Sequence, residues 1–223
     1  LRRGQPRRAA TARALGRGGR PGVARPQESG GLMPSAAWYD RRWGGGRWRK
    51  GVLLNLAIGQ GEILATPLQL ALVAAEASVD GRALRPHVVR RVGDGPDHVP
   101  ERPVQTGVAA DAVVWEALHH GLQRAVDAGT GTAARVPGIA VAGKTGTAQN
   151  PHGEDHALFV CYAPADHPTI ALAFVVENSG HGGTVAAPLA GQTLRRLFLP
   201  DSLQRRVPVA AAHADTAEVV RGD

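Results

Sequence analysis

The sequence has 223 residues, which is enough for one domain and a tail, and it carries a formal net charge of +7. All of this charge lies in residues 1–30, which hold eight arginines and one acid, whereas residues 31–223 hold eighteen basic and eighteen acidic groups. The net basicity therefore belongs to this leading segment and not to the rest of the chain. Because the arginine-rich segment has no aromatic residue for base stacking, we expect no nucleic-acid partner.

Residues 1–28 form a leader of arginine, glycine, alanine and proline with few large apolar side chains. Such a segment buries too little surface to offset the entropy of ordering it, so we expect the leader to be disordered. No run in the sequence approaches the ~20 apolar residues that a membrane-spanning helix needs.

The segments after the leader combine aromatic residues with a helix signal. Three of the four tryptophans lie among the glycines and arginines of residues 31–50, a composition typical of an irregular loop anchored by aromatic side chains. The glycines on either side of Gln60 predict tight turns. Thr66 and Pro67 suit the N-cap and first turn of a helix, so we predict a buried helix over residues 68–78.

Two further elements are predicted before the central part of the chain. Residues 85–92 are rich in valine and predict a short strand. Apolar residues recur at helical spacing across residues 109–127, which predicts a second helix. His119 and His120 are adjacent on that helix and point about 100° apart, so they do not form a shared metal site. We predict no metal and no cofactor.

Three apolar runs of strand length follow. They are residues 139–142, which lead into a Lys-Thr-Gly sequence, then residues 157–163 and residues 169–177. The connections are too short for crossover helices, so we predict an antiparallel sheet edged by the first strand. The single cysteine, Cys161, lies in the second run and is predicted to be a buried apolar residue, not a nucleophile.

Residues 185–199 predict a closing helix on this sheet, and residues 200–223 have no sustained pattern and are predicted to be a tail. Helices that precede and follow a sheet of consecutive strands give the α+β class. We therefore divide the chain into a leader at 1–28, a domain at 29–199 and a tail at 200–223.

Lys144 admits two interpretations. Residues 138–145, GIAVAGKT, satisfy the P-loop pattern of nucleotide-binding proteins. A P-loop, however, must open directly into a helix whose N-terminus meets the phosphates, and here Gly-Thr-Ala-Gln-Asn-Pro follows, which starts no helix. A P-loop nucleotide-binding protein, which would bind ATP with magnesium, remains the alternative.

The second interpretation takes Lys144, Thr145 and Gly146 as the K-T-G element of a serine acyl-transfer site. Lysine offers a positive charge to a substrate carboxylate, and threonine hydroxyls donate hydrogen bonds to it. Glycine lets the substrate approach the strand, and a backbone N–H just beyond it can face a developing oxyanion.

The longer context of this element resembles one family. Residues 55–71, NLAIGQGEILATPLQLA, and residues 141–149, VAGKTGTAQ, resemble segments of the class B penicillin-binding proteins, the peptidoglycan D,D-transpeptidases. The elongation-type group, penicillin-binding protein 2, is the most similar. Further similarity lies in the strand pair that follows, in Asn178-Ser-Gly-His-Gly-Gly183 and in Gly31-Leu-Met-Pro-Ser35, so that roughly residues 29–198 are covered.

The resemblance implies an incomplete penicillin-binding transpeptidase fold and a set of site residues. Lys144, Thr145 and Thr147 would bind the terminal carboxylate of a peptidyl D-alanine or of a β-lactam, and Gly146 would keep the cleft open. The backbone N–H of Thr147 would form half of the oxyanion hole. Gln60 and its flanking glycines would support the cleft.

The resemblance also implies partners and a location. The partners would be peptidoglycan stem peptides, β-lactams and a membrane glycosyltransferase, at the periplasmic face of the inner membrane. A β-lactamase-type penicillin hydrolase shares the K-T-G element and is a further alternative, although residues 55–71 fit the transpeptidases better.

Two departures from the family pattern stand out. No serine is followed by lysine three residues on or by asparagine two residues on, so the S-x-x-K and S-x-N motifs are missing. We expect them to lie upstream of residue 1, and we expect this chain to be inactive alone. Residues 1–27 replace a different family pattern, which suggests that they are translated out of frame from GC-rich DNA.

Overall fold

The computed structural model describes residues 4–23, 27–45, 47–48, 51–97 and 106–201. Six helices and three strands lie within these ranges, together with a short 3₁₀ turn. The helices are α1 (Gly4–Ala14), α2 (Ala36–Trp43), α3 (Gly51–Ala57), α4 (Pro67–Ala77), α5 (Ala112–Asp127) and α6 (Ala186–Phe198). The 3₁₀ turn is Thr132–Ala134, and the strands are β1 (Ala142–Ala148), β2 (His156–Ala163) and β3 (Ile170–Val176).

The three strands form one antiparallel sheet in the order β1-β2-β3. Lys144 lies opposite Val160, and Phe159 lies between Thr145 on one side and Phe174 on the other. Strand β1 therefore carries the Lys-Thr-Gly sequence at an edge of the sheet. The prediction of an α+β fold with an antiparallel sheet edged by this strand is confirmed.

The main core lies between the sheet and α6. Every second residue of β2 from Ala157 to Cys161 is buried, as the two-residue period of a strand requires. Four small residues and one leucine of α6 are buried against them: Ala186, Ala187, Ala190, Gly191 and Leu194. A Cβ at Gly191 would lie 2.6 Å from the carbonyl oxygen of Ala133, so glycine lets α6 approach the 3₁₀ turn closely.

Cys161 is part of this core, as predicted. Its side chain is almost completely buried, and burial raises the pKa of the thiol to about 12. The thiolate, which is the reactive form, is therefore suppressed at neutral pH.

Helix α4 begins with a capping box. The Thr66 hydroxyl accepts a hydrogen bond from the Gln69 backbone N–H, and the Gln69 side chain accepts one from the Thr66 N–H. The Gln69 side chain is buried, and its Nε2 contacts the carbonyl oxygens of Gly16, Gly19 and Gly30 at 3.1, 2.8 and 2.8 Å. One side chain thus caps α4 and binds the segment that precedes it.

The structure differs from the prediction of a disordered leader. Gly4–Ala14 form α1, and the glycine carbonyls after it are bound to Gln69. Alanine and arginine have high helix propensity, and the binding partner lies 50 residues away, beyond the reach of a composition argument.

Two other segments also differ from prediction. Residues 31–50 contain α2, which Ser35 caps by accepting a hydrogen bond from the Trp38 N–H. Residues 85–92 form no strand; an isolated bridge joins Arg91 to Asp97. The valines there are exposed, and strand propensity is expressed only where a neighbouring strand or surface packs against the side chains.

The remaining predicted elements are present, although the first strand covers the Lys-Thr-Gly sequence itself at 142–148 and not the apolar run 139–142. The helices predicted over 68–78, 109–127 and 185–199 are α4, α5 and α6, with ends within three residues of the predicted ones. The predicted tail lies almost entirely outside the described residues. Among the helices that the structure describes, none is long and apolar enough to cross a bilayer.

We predict that Gln69→Ala lowers the free energy of unfolding by about 2–3 kcal/mol, because it removes the side-chain half of the capping box of α4 and leaves the carbonyls of Gly16, Gly19 and Gly30 without this donor. Urea unfolding measures the change. Gln27→Ala, at an exposed glutamine, is the control and should change stability by less than about 0.5 kcal/mol. Equal effects of the two variants would contradict the role of Gln69.

We also predict that Cys161 reacts with a thiol reagent at pH 8 at least about 100-fold more slowly in the native chain than in urea, because the native thiol is both buried and protonated. Absorbance after addition of Ellman's reagent measures both rates. A native rate equal to the unfolded rate would contradict the burial of this side chain.

Candidate active site

The Lys-Thr-Gly sequence lies in an extended strand and not in a phosphate-binding loop. Residues 142–148 are paired with β2 throughout, and the chain then turns at Asn150 without starting a helix. A P-loop requires a helix N-terminus directly after the lysine and threonine. The structure therefore contradicts the nucleotide-binding interpretation.

Glycines in this region allow backbone to pack against strand β1. A Cβ at Gly143 would lie 2.7 Å from the ring of Phe159, so only glycine fits above this buried side chain. A Cβ at Gly182 would overlap the carbonyl oxygens of both Leu158 and Gly146. The loop that contains Gly182 is therefore in direct backbone contact with β1.

An open cleft with a volume of about 620 Å³ lies beside β1 and the loop that contains Gly182. It is lined by three segments: the turn after α5 at 129–132, residues 144–147 of β1, and the loop at 181–184. All four predicted site residues, Lys144, Thr145, Gly146 and Thr147, therefore line one cleft.

The lining of the cleft combines the Lys144 ammonium with threonine hydroxyls and the imidazole of His181. Lys144 is exposed, its Nζ donates a hydrogen bond to the carbonyl oxygen of Thr145 at 2.7 Å, and it forms no ion pair with an acid in the described part of the chain. The hydroxyls of Thr130 and Thr145 lie 2.7 Å apart. An uncompensated ammonium beside hydroxyl donors suits a carboxylate ligand.

Sequence reasoning missed two walls of this cleft. The turn at Thr130 was not predicted to belong to the site, and His181 to Gly183 entered only as part of the family resemblance. The available signal was the repeated pairing of glycine with threonine in both segments, which is typical of backbone that approaches a ligand closely.

The outer edge of β1 is contacted by Gln60. Its Nε2 donates to the carbonyl oxygen of Thr147 at 2.9 Å, and its Oε1 accepts from the N–H of Gln149 at 3.3 Å. In antiparallel strands the N–H and the C=O of one residue point to the same edge. The N–H of Thr147 therefore also points away from β2, toward the edge that Gln60 contacts.

The two adjacent histidines of α5 are separated, as the helix geometry requires. His119 contacts the Tyr162 hydroxyl at 2.6 Å and the Asp80 carboxylate at 2.9 Å, whereas His120 is exposed. Burial, followed by the charge of Asp80, raises the pKa of Tyr162 to about 12, so this phenol keeps its proton. Together, these side chains connect α5, β2 and the turn that follows α4.

The family model of the penicillin binding protein transpeptidase domain matches residues 2–195. The chain belongs to this family. Peptidoglycan D,D-transpeptidase MrdA of Acinetobacter baumannii is 37% identical over 194 residues, which are 78% of this chain and 28% of that protein.

Solved structures agree with this assignment. PBP2 of Pseudomonas aeruginosa, in complex with WCK 5153, is 38% identical with a TM-score of 0.77, over 88% of this chain and 44% of that chain. Helicobacter pylori PBP2 in complex with MreC is 28% identical with a TM-score of 0.69, over 85% of this chain and 35% of that chain. The chain thus spans less than half the length of these relatives.

The comparisons confirm the resemblance to class B penicillin-binding proteins of the PBP2 type, and they confirm the partial transpeptidase fold. They do not favour a β-lactamase or a nucleotide-binding protein. The family match begins at residue 2 and so includes most of the leader. The out-of-frame origin of residues 1–27 stays a prediction.

We predict that Gly182→Ala lowers the free energy of unfolding by about 1–3 kcal/mol, because the added methyl group forces the loop away from β1. Urea unfolding measures the loss. Gly121→Ala, in an exposed part of α5 with open space around it, is the control and should be neutral or stabilising. A neutral Gly182→Ala would contradict the backbone contact.

Proposed function

We propose that this chain supplies the substrate-holding half of the active site of a peptidoglycan D,D-transpeptidase, which cross-links stem peptides by serine acyl transfer. The observation that carries the proposal is the exposed ammonium of Lys144, which forms no ion pair with an acid of the described residues and lies on a strand edge in a hydroxyl-bearing cleft, in a chain of the transpeptidase family.

The proposal assigns a role to each residue of the Lys-Thr-Gly strand. The Lys144 ammonium and the hydroxyls of Thr145 and Thr147 bind the carboxylate of a terminal D-alanine or of a β-lactam by charge-assisted hydrogen bonds. Gly146 has no side chain between the ligand and the backbone. The Thr147 N–H, which faces the outer edge of β1, donates to the oxyanion of the tetrahedral intermediate.

The proposed chemistry is a two-step acyl transfer. A serine hydroxyl attacks the carbonyl of the penultimate D-alanine, the terminal D-alanine leaves, and an acceptor amine on another stem then displaces the serine. No serine in the sequence has the S-x-x-K context, so this chain is assigned the binding groups and not the nucleophile.

The family relationship supports a proposed setting as well. Helicobacter pylori PBP2 has been solved with MreC, and we propose that the protein to which this chain corresponds also works in a cell-wall assembly that includes a membrane glycosyltransferase. Its place would be the periplasmic face of the inner membrane, where stem peptides and β-lactams are accessible.

A fluorescent penicillin tests whether this chain carries the binding groups but not the serine nucleophile. We predict that the 223-residue chain takes no label that survives denaturation, because the serine to be acylated is missing. A chimera in which residues 29–199 replace the matching segment of Pseudomonas aeruginosa PBP2 should be labelled. A denaturation-stable label on the 223-residue chain would contradict the proposal.

Within the chimera, Lys144→Ala should lower the second-order labelling rate constant by about 30- to 1000-fold, because the carboxylate loses its charged partner. Arg124→Ala removes an equal charge from an exposed position on α5 outside the cleft and should leave the rate within about twofold. If the two variants label at equal rates, Lys144 does not bind the carboxylate.

A further inference from the structure

The loop around Gln60 is fixed by hydrogen bonds on both sides of this residue. The carbonyl oxygen of Asn55, at the end of α3, accepts hydrogen bonds from the N–H groups of both Ile58 and Gln60. On the other side, the Glu62 carboxylate accepts a hydrogen bond from the hydroxyl of Tyr39 at 2.7 Å. Tyr39 is fully buried and stacks on Trp43, so Glu62 ties the loop to the aromatic cluster of α2.

The backbone on either side of Gln60 is specialised. Gly59 and Gly61 have φ values of 79° and 80°, a region that residues with a side chain rarely adopt. The two glycines lie in a turn and a bend on either side of Gln60. The side chain of Gln60 is thereby directed out of the loop and onto β1, in contacts that span 87 and 89 residues of sequence.

The carboxamide of Gln60 contacts β1 as the backbone of another strand would. It donates to the carbonyl of Thr147 and accepts from the N–H of Gln149, the two groups that adjacent strands use in a ladder. A primary amide is the side chain that offers a donor and an acceptor in the arrangement of a peptide group. One side chain therefore covers the end of a strand edge that pairs with no other strand in the described part of the chain.

We propose that Gln60 is a positioning residue for acyl transfer, which rests on the function proposed above. The N–H and C=O of Thr147 point to one edge and belong to the two peptide groups that meet at its Cα, so a twist of the strand at this residue displaces both groups. Gln60 donates a hydrogen bond to the carbonyl of Thr147, and in this way it fixes the direction of the Thr147 N–H, which donates to the oxyanion. Donors preorganised in this way stabilise the transition state without rearrangement during the reaction.

A role in positioning and a role in loop support make different predictions. An oxyanion donor acts on the transition state more than on the bound substrate, so a misdirected Thr147 N–H lowers the limiting rate of acylation and leaves binding almost unchanged. A glutamine that only fastens the loop to the sheet changes thermal stability but not the limiting rate.

The first test uses the 223-residue chain and amide hydrogen exchange measured by NMR. Gln60→Met keeps the length of the side chain but removes both hydrogen bonds, so we expect the Gln149 N–H to exchange at least about 10-fold faster. The N–H of Gly146, which points toward β2, is the internal control and should be unchanged. Gln123→Met, at another half-buried glutamine, should leave both rates unchanged.

The second test uses the chimera with Pseudomonas aeruginosa PBP2 and a β-lactam in stopped flow. We expect Gln60→Met to lower the limiting acylation rate constant by about 10- to 100-fold, with the dissociation constant within about twofold. If the Gly146 N–H of this variant keeps its protection from hydrogen exchange, the sheet is folded. Gln60→Ala is a second variant, which removes the side chain in case the methionine packs against β1 in a new way.

The outcomes separate this inference from the proposed function. Faster exchange at Gln149 with an unchanged limiting rate would overturn the positioning role, because the contact would be structural only. Unchanged exchange at Gln149 would overturn the contact itself. A lack of effect of Lys144→Ala would overturn the proposed function, whatever Gln60 does.

Discussion

Between Ala142 and Ala148 the chain is held extended by continuous pairing with β2 on one side and by the Gln60 side chain near the end of the other side. This extension depends on close backbone contacts that side chains would prevent. Gly143 lies over the Phe159 ring, and Gly182 lies on the backbone of Gly146 and Leu158. The assignment of Lys144 to a carboxylate site follows from this geometry, because a ligand can bind along the edge of an extended strand. A P-loop would instead wrap around a phosphate before a helix.

Much apolar surface of the described chain is uncovered. Val113 and Val114 on α5 and Leu54 and Ile58 next to the Gln60 loop are each more than half exposed. Strand β3 has no partner on its outer edge within the described residues. Monomeric proteins rarely expose contiguous apolar surface without a partner. This surface accords with a chain that matches less than half of the length of its relatives.

The elements that sequence reasoning predicted well are those decided by local pattern. The strands 156–163 and 170–176 are apolar runs between turn formers, and α4 begins with a threonine that caps it and a proline in its first turn. The valines of residues 85–92 have the same strand propensity but find no neighbouring strand. Pattern identifies a candidate strand, and only tertiary contact makes it one.

The site was predicted in part for the same reason. Residues 144–147 form a contiguous motif and were identified together, whereas Thr130 and His181 belong to turns that reach the cleft only after the helices pack. The role of Gln60 was anticipated as general support, but its contact with Thr147 spans 87 residues and follows from no local rule. The residues of the chemical motif can therefore be predicted from the sequence more readily than the distant residues that hold the motif in place.

The paired hydroxyls of Thr130 and Thr145 give the cleft an adaptable polarity. Each hydroxyl has a single proton, and either oxygen can be the donor across the 2.7 Å contact. When Thr130 donates to Thr145, the proton of Thr145 is free to point at an anion in the cleft; when the direction reverses, the Thr145 oxygen is left to accept from a neutral or cationic group. The Thr145 hydroxyl can thus change from a hydrogen-bond donor to an acceptor toward the cleft. The change needs only the rotation of the two O–H bonds, and no carbon, nitrogen or oxygen atom moves.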